Sequence, residues 1–99
     1  MPLAKAIAQG TVLAESPTWE TVEGNVYFPP SALKDRSQFV ETDLTTYCPW
    51  KGTASYYSIA IGDETLSNAA WYYPTPYDAA LNIKDHIAFY KTKVEVVVE

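Results

Sequence analysis

The segment Cys48-Pro49-Trp50-Lys51-Gly52 holds the side chains of this chain best suited to chemistry. A thiol becomes a nucleophile once ionised, and a cation three residues away favours the thiolate. Lys51 is also the only charged side chain between residues 44 and 62, so it offers an ammonium to an anionic ligand in neutral surroundings. A nucleophile needs a base beside it, and the one histidine, His86, lies far along the chain where it opens a strand. A third candidate is Glu15, which an apolar run delivers to a turn ahead of Pro17. The catalytic candidates are therefore Cys48, Lys51 and Glu15. Each has a structural alternative: a buried inert thiol, a lysine snorkelling from a turn, and a solvated strand-end carboxylate.

The aromatic residues gather around the same segment. Eight of the fourteen fall between Tyr47 and Tyr77, where even spacing would put about four. Aromatic walls stack planar groups, and a few placed polar groups orient them. Cys48, Trp50, Lys51, Tyr56, Trp71 and Tyr73 are the expected lining of a pocket for a small planar or anionic ligand. The alternative is a core unusually rich in tyrosine.

These groups must be positioned by strands. Pro49 fixes its own φ and pushes Cys48 into extended geometry, while Gly52 allows a positive φ or the close approach of another group. The result is a stiff loop feeding Thr53–Ile61, the strongest strand, with Ala54, Tyr56 and Ser58 on one face and Tyr57, Ile59 and Ile61 on the other. Residues 5–15 read as a hairpin turning at Gln9-Gly10. Thr18–Glu23 and Val26–Phe28 flank Gly24-Asn25, a pair suited to a type II′ turn. Ser31 is positioned to cap one helical turn, and Glu41-Thr42-Asp43 reads as a solvated connection. Ala69–Tyr73, His86–Tyr90 and Val94–Val98 complete the strands. A short helix is expected over 76–84, where Tyr77, Ala80, Leu81 and Lys84 have helical spacing behind Pro76. This is one α+β, predominantly β domain over 1–99, with short, mostly antiparallel strands.

Composition removes several function classes. Seven Lys and Arg against twelve Asp and Glu give a net charge of −5, a poor match to nucleic acid or to an anionic membrane. A single cysteine permits no intrachain disulfide and fits a reducing cytoplasm. Cys48 and His86 cannot supply a four-ligand zinc site. No metal or other cofactor is expected. No glycine-rich phosphate loop occurs, since the four glycines are widely separated.

Four segments carry a family resemblance: Glu23–Pro30 (EGNVYFPP), Thr46–Tyr57 (TYCPWKGTASYY), Ala70–Pro74 (AWYYP) and Ile87–Tyr90 (IAFY). Together they resemble the bacterial family catalogued as domain of unknown function 427, sometimes labelled nucleotidyltransferase-like. The resemblance spans essentially the whole chain. It implies a small β-rich domain of Mss4-like topology, here without the paired CxxC ligands that hold zinc in other families of that fold. It also adds Tyr27 to the expected ligand-binding residues. The resulting reading is a small-molecule binding domain. The alternatives are an enzyme, using Cys48 and Lys51 or transferring nucleotidyl groups as the label implies, and a module that forms a homodimer or binds a partner through its aromatic residues.

Overall fold

The computed structural model describes residues 2–99. Among the described residues nine strands run in the order β1 (Ala4–Ala8), β2 (Thr11–Ser16), β3 (Glu20–Val22), β4 (Asn25–Tyr27), β5 (Phe39–Cys48), β6 (Gly52–Ile61), β7 (Glu64–Tyr72), β8 (Ile87–Phe89) and β9 (Glu95–Val98). They form three antiparallel sheets, ordered β2-β1-β9, β3-β4 and β5-β6-β7-β8. Paired backbone hydrogen bonds of 2.8 Å between Phe28 and Ile87 attach the β3-β4 hairpin to β8. Among the described residues no helix is long and apolar enough to cross a membrane.

The period-two alternation of β6 and β8 sorts their side chains into two cores, while β7 sends both Ala69 and Ala70 to the same one. Tyr57 and Ile59 of β6, Ala70 of β7, and Ile87 and Phe89 of β8 join Ala4, Ala6, Leu13, Ala14 and Phe28 in the main cluster. Phe28, Phe39, Tyr57 and Phe89 supply its bulk, in edge-to-face pairs 5.6–6.0 Å apart. The alanines of β1 and β2 make room for these rings. The opposite face sends Ala54 and Tyr56 of β6 and Ala88 of β8 into a second cluster with Tyr27, Tyr73, Ala80 and Ile83, against which Cys48 and Trp71 pack.

Four local expectations are corrected. The segment 76–84 forms 3-10 turns over Asp78–Ile83 rather than an α-helix, broken at Ala80 (φ −126°, ψ 21°). It is too short to nucleate an isolated helix, and its ends are held elsewhere: the Tyr77 N–H donates to the Lys51 carbonyl (2.9 Å) and the Asp85 N–H to Tyr73 (3.0 Å). The β3-β4 turn sits one residue earlier than expected. Its central pair is Glu23-Gly24, both at positive φ (53° and 78°), as a type I′ turn requires and a type II′ turn does not. Ser31 lies inside a 3-10 turn (Pro30–Ala32) whose cap is Pro29, and makes no capping bond. Glu41–Asp43 belongs to β5, an exposed edge strand whose pairing with β6 shifts register between Glu41 and Thr45. Charges tolerated at a sheet edge mimic a loop in sequence.

The loop of the β5-β6 hairpin, residues 49–51, is closed by Cys48 opposite Gly52. Gly52 has φ +113°, and a Cβ there would lie 3.3 Å from the Thr75 carbonyl oxygen. Both the backbone angle and the close approach of residues 75–77 demand glycine. Gly10 also has a positive φ (+75°), but with open space around it. Gly52→Ala is therefore expected to destabilise by about 1–3 kcal/mol, against about 1 kcal/mol for Gly10→Ala. Urea unfolding midpoints of the two variants measure the difference.

Candidate functional site

Lys51 stands at the meeting point of three segments. The β5-β6 loop carries it, the β3-β4 turn brings Glu23, and the end of β7 brings Tyr73. The Lys51 side chain is 8% exposed, and its ammonium donates to Glu23 Oε1, whose side chain is 53% exposed. The ammonium also lies 5.4 Å from the ring centroids of both Trp50 and Tyr73, within cation–π range. The buried end of this ion pair is the cation and the wet end is the carboxylate.

Burial by itself would pull the Lys51 pKa down. The hydrogen bond to Glu23 and the charge interactions with Tyr27, Tyr73 and Glu23 outweigh it, and the ammonium is held above its ordinary value. It is a fixed cation, not a general base near neutrality. Hydrogen bonding and charge from Lys51 hold the Glu23 carboxyl below its ordinary value, against a small opposing effect of burial. Burial pushes the Tyr73 phenol up, although the Lys51 charge acts to lower it.

The aromatic residues divide into a packed chain, whose outer member Tyr90 is itself 39% exposed, and a separate exposed set. Tyr27 is fully buried, and its hydroxyl accepts from Trp71 Nε1 at 3.1 Å. The two rings meet edge to face at 6.3 Å. Trp71 in turn packs on Tyr90 at 4.7 Å, and Tyr90 stacks on Tyr56, with their hydroxyls 3.3 Å apart. Tyr56 also shares a 2.9 Å hydrogen bond with Thr46. Outside this set, Trp50, Tyr77 and Tyr47 are 41%, 48% and 64% exposed. The Tyr47 and Tyr77 hydroxyls are 3.4 Å apart. Trp50 and Lys51 share the hairpin loop, while Tyr47 precedes it and Tyr77 is bonded to it through the Lys51 carbonyl.

Of the sequence candidates, Tyr27, Cys48, Tyr56, Trp71 and Tyr73 thus meet in or against the second cluster, with Trp50 and Lys51 beside it. Glu15 does not join them. It lies within β2 opposite Lys5, in the other sheet, with its carboxylate 3.9 Å from Lys34. The turn expected at Glu15 is made one residue later, where the Ser16 hydroxyl donates to the Thr18 carbonyl and accepts from the Thr18 N–H. Cys48 is a free, half-buried thiol at the end of β5. His86 Nδ1 bonds the Lys84 carbonyl at 2.9 Å, so the ring is engaged within its own turn. Among the described residues, no three His, Cys, Asp or Glu side chains gather as metal donors. A cluster of three such donors for the divalent ion of nucleotidyl transfer is therefore not found among the described residues.

Glu23, Tyr47 and Tyr77 are missed as site residues by the sequence reading. The two tyrosines belong to the aromatic concentration, but nothing local marks them as exposed. Glu23 reads as one more solvated carboxylate, and only its place at a hairpin tip hints that it reaches outward. A separate groove of about 490 Å³ lies along Ile7–Gly10 and Lys91–Val96. Its lysines are engaged with backbone carbonyls, Lys91 with Gly24 (2.8 Å) and Lys93 with Ser67 (2.5 Å). The groove contains none of the expected site residues.

Two solution properties follow. Because the folded-state pKa of Glu23 is depressed, the pair stabilises the fold above the ordinary carboxyl pKa of about 4.3, and this contribution disappears as pH falls through the folded value. Glu23→Gln should flatten that acid limb in thermal melts between about pH 2 and 5, whereas substitution of a carboxylate outside any pair should not. Tyr72 is pushed up to about 12, mainly by burial and then by Tyr57 and Glu41. Tyr90 reaches about 12 through its hydrogen bond to Tyr56 and burial. An acid whose folded pKa is raised stabilises below its unfolded pKa of about 10, and that stability is lost as pH climbs towards the folded value. Ultraviolet titration should show two tyrosines ionising about two pH units late, and Tyr90→Phe should remove one of them.

Comparison with curated proteins gives no match. Comparison with protein families does: the family described as domain of unknown function (DUF427), labelled NTP_transf_9, matches residues 4–99. With the match covering nearly the whole length, and both the β5-β6 loop and the aromatic clusters lying inside it, this chain belongs to the DUF427 family.

Proposed function

We propose that this protein is a small-molecule binding module that takes a planar ligand at the tip of the β5-β6 hairpin. In this reading the ligand stacks on Trp50 against the rim formed by Tyr47 and Tyr77, and an acceptor group on it is drawn to Lys51. The observation that carries the proposal is a nearly buried, charged ammonium 5.4 Å from the centroids of two rings, one of them the exposed Trp50. Burying a charge is unfavourable unless it is paired, and a plain core would fill this position with an apolar residue. Exposed rings beside a fixed cation supply the stacking surface and the orienting group that small planar ligands require. The free thiol of Cys48 suits a reducing cytoplasm, the compartment proposed for the protein.

Binding is favoured over catalysis because the chemistry at the site is static. Lys51 is locked in its protonated form, and the one imidazole is occupied by Lys84. The family label's nucleotidyl transfer would require metal-holding carboxylates.

Isothermal titration with benzoate, a planar carboxylate, tests the reading. Wild-type protein is expected to bind it, Trp50→Ala to lose at least tenfold in affinity, and Lys51→Met to lose a similar factor. Lys51→Met keeps the backbone bond to Tyr77 and leaves Glu23 hydrated, so it retains the fold. Equal affinity in all three proteins would remove this site from consideration.

A further inference from the structure

The same site names the class of ligand more narrowly, and the argument rests on the binding proposal above. Lys51 is closed to solvent, and the group at its ammonium is the carboxylate of the protein's own Glu23. Glu23 is held by its polar contacts with Lys51 and Trp50 and not by burial. Its side chain is half exposed, it occupies a hairpin turn at φ +53°, and a β-turn pair of three-residue strands holds that turn. An anion reaching Lys51 competes with this carboxylate for the ammonium.

We infer that Glu23 is the specificity-determining residue of the site, an internal competitor that excludes simple anions and admits ligands joining a planar ring to an anionic group. The physical basis is tethering. A carboxylate held on a short turn beside its partner acts at an effective concentration on the order of millimolar or above. A small free anion offers the ammonium nothing that Glu23 does not already give. A ligand whose anionic group is attached to a ring gains a stacking contact on the ring faces of Trp50 and the neighbouring tyrosines, whereas Glu23 meets Trp50 only through a hydrogen bond. A neutral planar molecule gains the stacking contact but leaves the Glu23–Lys51 pair intact. The two parts of the ligand are thus required together, and the chemistry matches an aromatic carboxylate or a ring bearing a phosphate.

Three probes separate the contributions: benzoate has both parts, acetate only the anion, and benzamide only the ring. Binding to wild type, Glu23→Gln and Lys51→Met is measured by isothermal titration, with a thermal melt of each protein confirming its fold. Glu23→Gln keeps the length and an accepting oxygen while removing the charge, at an exposed turn position that tolerates it. In wild type, benzoate is expected to bind at least tenfold more tightly than acetate or benzamide. In Glu23→Gln, acetate and benzoate should each gain about tenfold, and benzamide should stay within twofold. Should Glu23→Gln leave acetate and benzoate within twofold of wild type while Lys51→Met still abolishes benzoate binding, the competitor role is overturned and the binding site stands. The same role is overturned if wild type binds acetate as tightly as benzoate. Absence of benzoate binding to both wild type and Glu23→Gln overturns the inference together with the proposal beneath it.

Discussion

Strand alternation in the four-stranded sheet determines where almost every ring of this protein goes. Tyr56 and Tyr57 are adjacent in β6, and Tyr72 and Tyr73 are adjacent where β7 ends, yet the members of each pair face opposite sides of the sheet. One side closes against β1, β2 and Phe28. The other has no second large sheet to close it, and is covered instead by the turns of residues 78–83 and by Tyr27 from the β3-β4 hairpin. A sheet buried on both sides in a chain of 99 residues needs large side chains on both, and tyrosine answers that need where a hydroxyl can still find a partner. The bonds from Trp71 to Tyr27 and from Tyr56 to Thr46 are such partners.

Lys51 emerges from this arrangement as a consequence of the second cluster's shape. The hairpin loop must pass over the end of that cluster, where residues 75–77 press against Gly52. Its lysine then lies 5.4 Å from the ring centroids of both Tyr73 and Trp50. The charge is retained because a carboxylate reaches it from a different hairpin. Trp50, Tyr77 and Tyr47 remain outside the cluster. What looks in sequence like a single aromatic concentration is therefore two things: a packed interior and a small exposed rim, with one cation at the boundary.

Local features of the sequence were good guides to this layout. Pro49 and Gly52 marked a rigid loop, Gln9-Gly10 a turn, and the pattern of β6 its two faces. Long-range features were not. Glu23 and Lys51 are 28 residues apart and Tyr27 and Trp71 are 44 apart, and no spacing rule connects them. The edge strand β5 was hidden because Glu41 and Asp43 are acceptable where one side of the strand meets solvent. The 76–84 segment showed helical spacing, but backbone bonds to Lys51 and Tyr73 tie down its ends and break its middle at Ala80.

The central claim is that ligand chemistry belongs to the hairpin tip and not to the interior cluster or to the groove along β1 and β9. The three tryptophans, Trp19, Trp50 and Trp71, offer a direct readout, since each indole N–H gives its own resonance in a proton–nitrogen correlation spectrum. In a titration with benzoate, the account predicts that the Trp50 indole shifts progressively and saturates, while those of Trp19 and Trp71 hold still. Movement of the Gly10 and Lys93 amides with a silent Trp50 would contradict it.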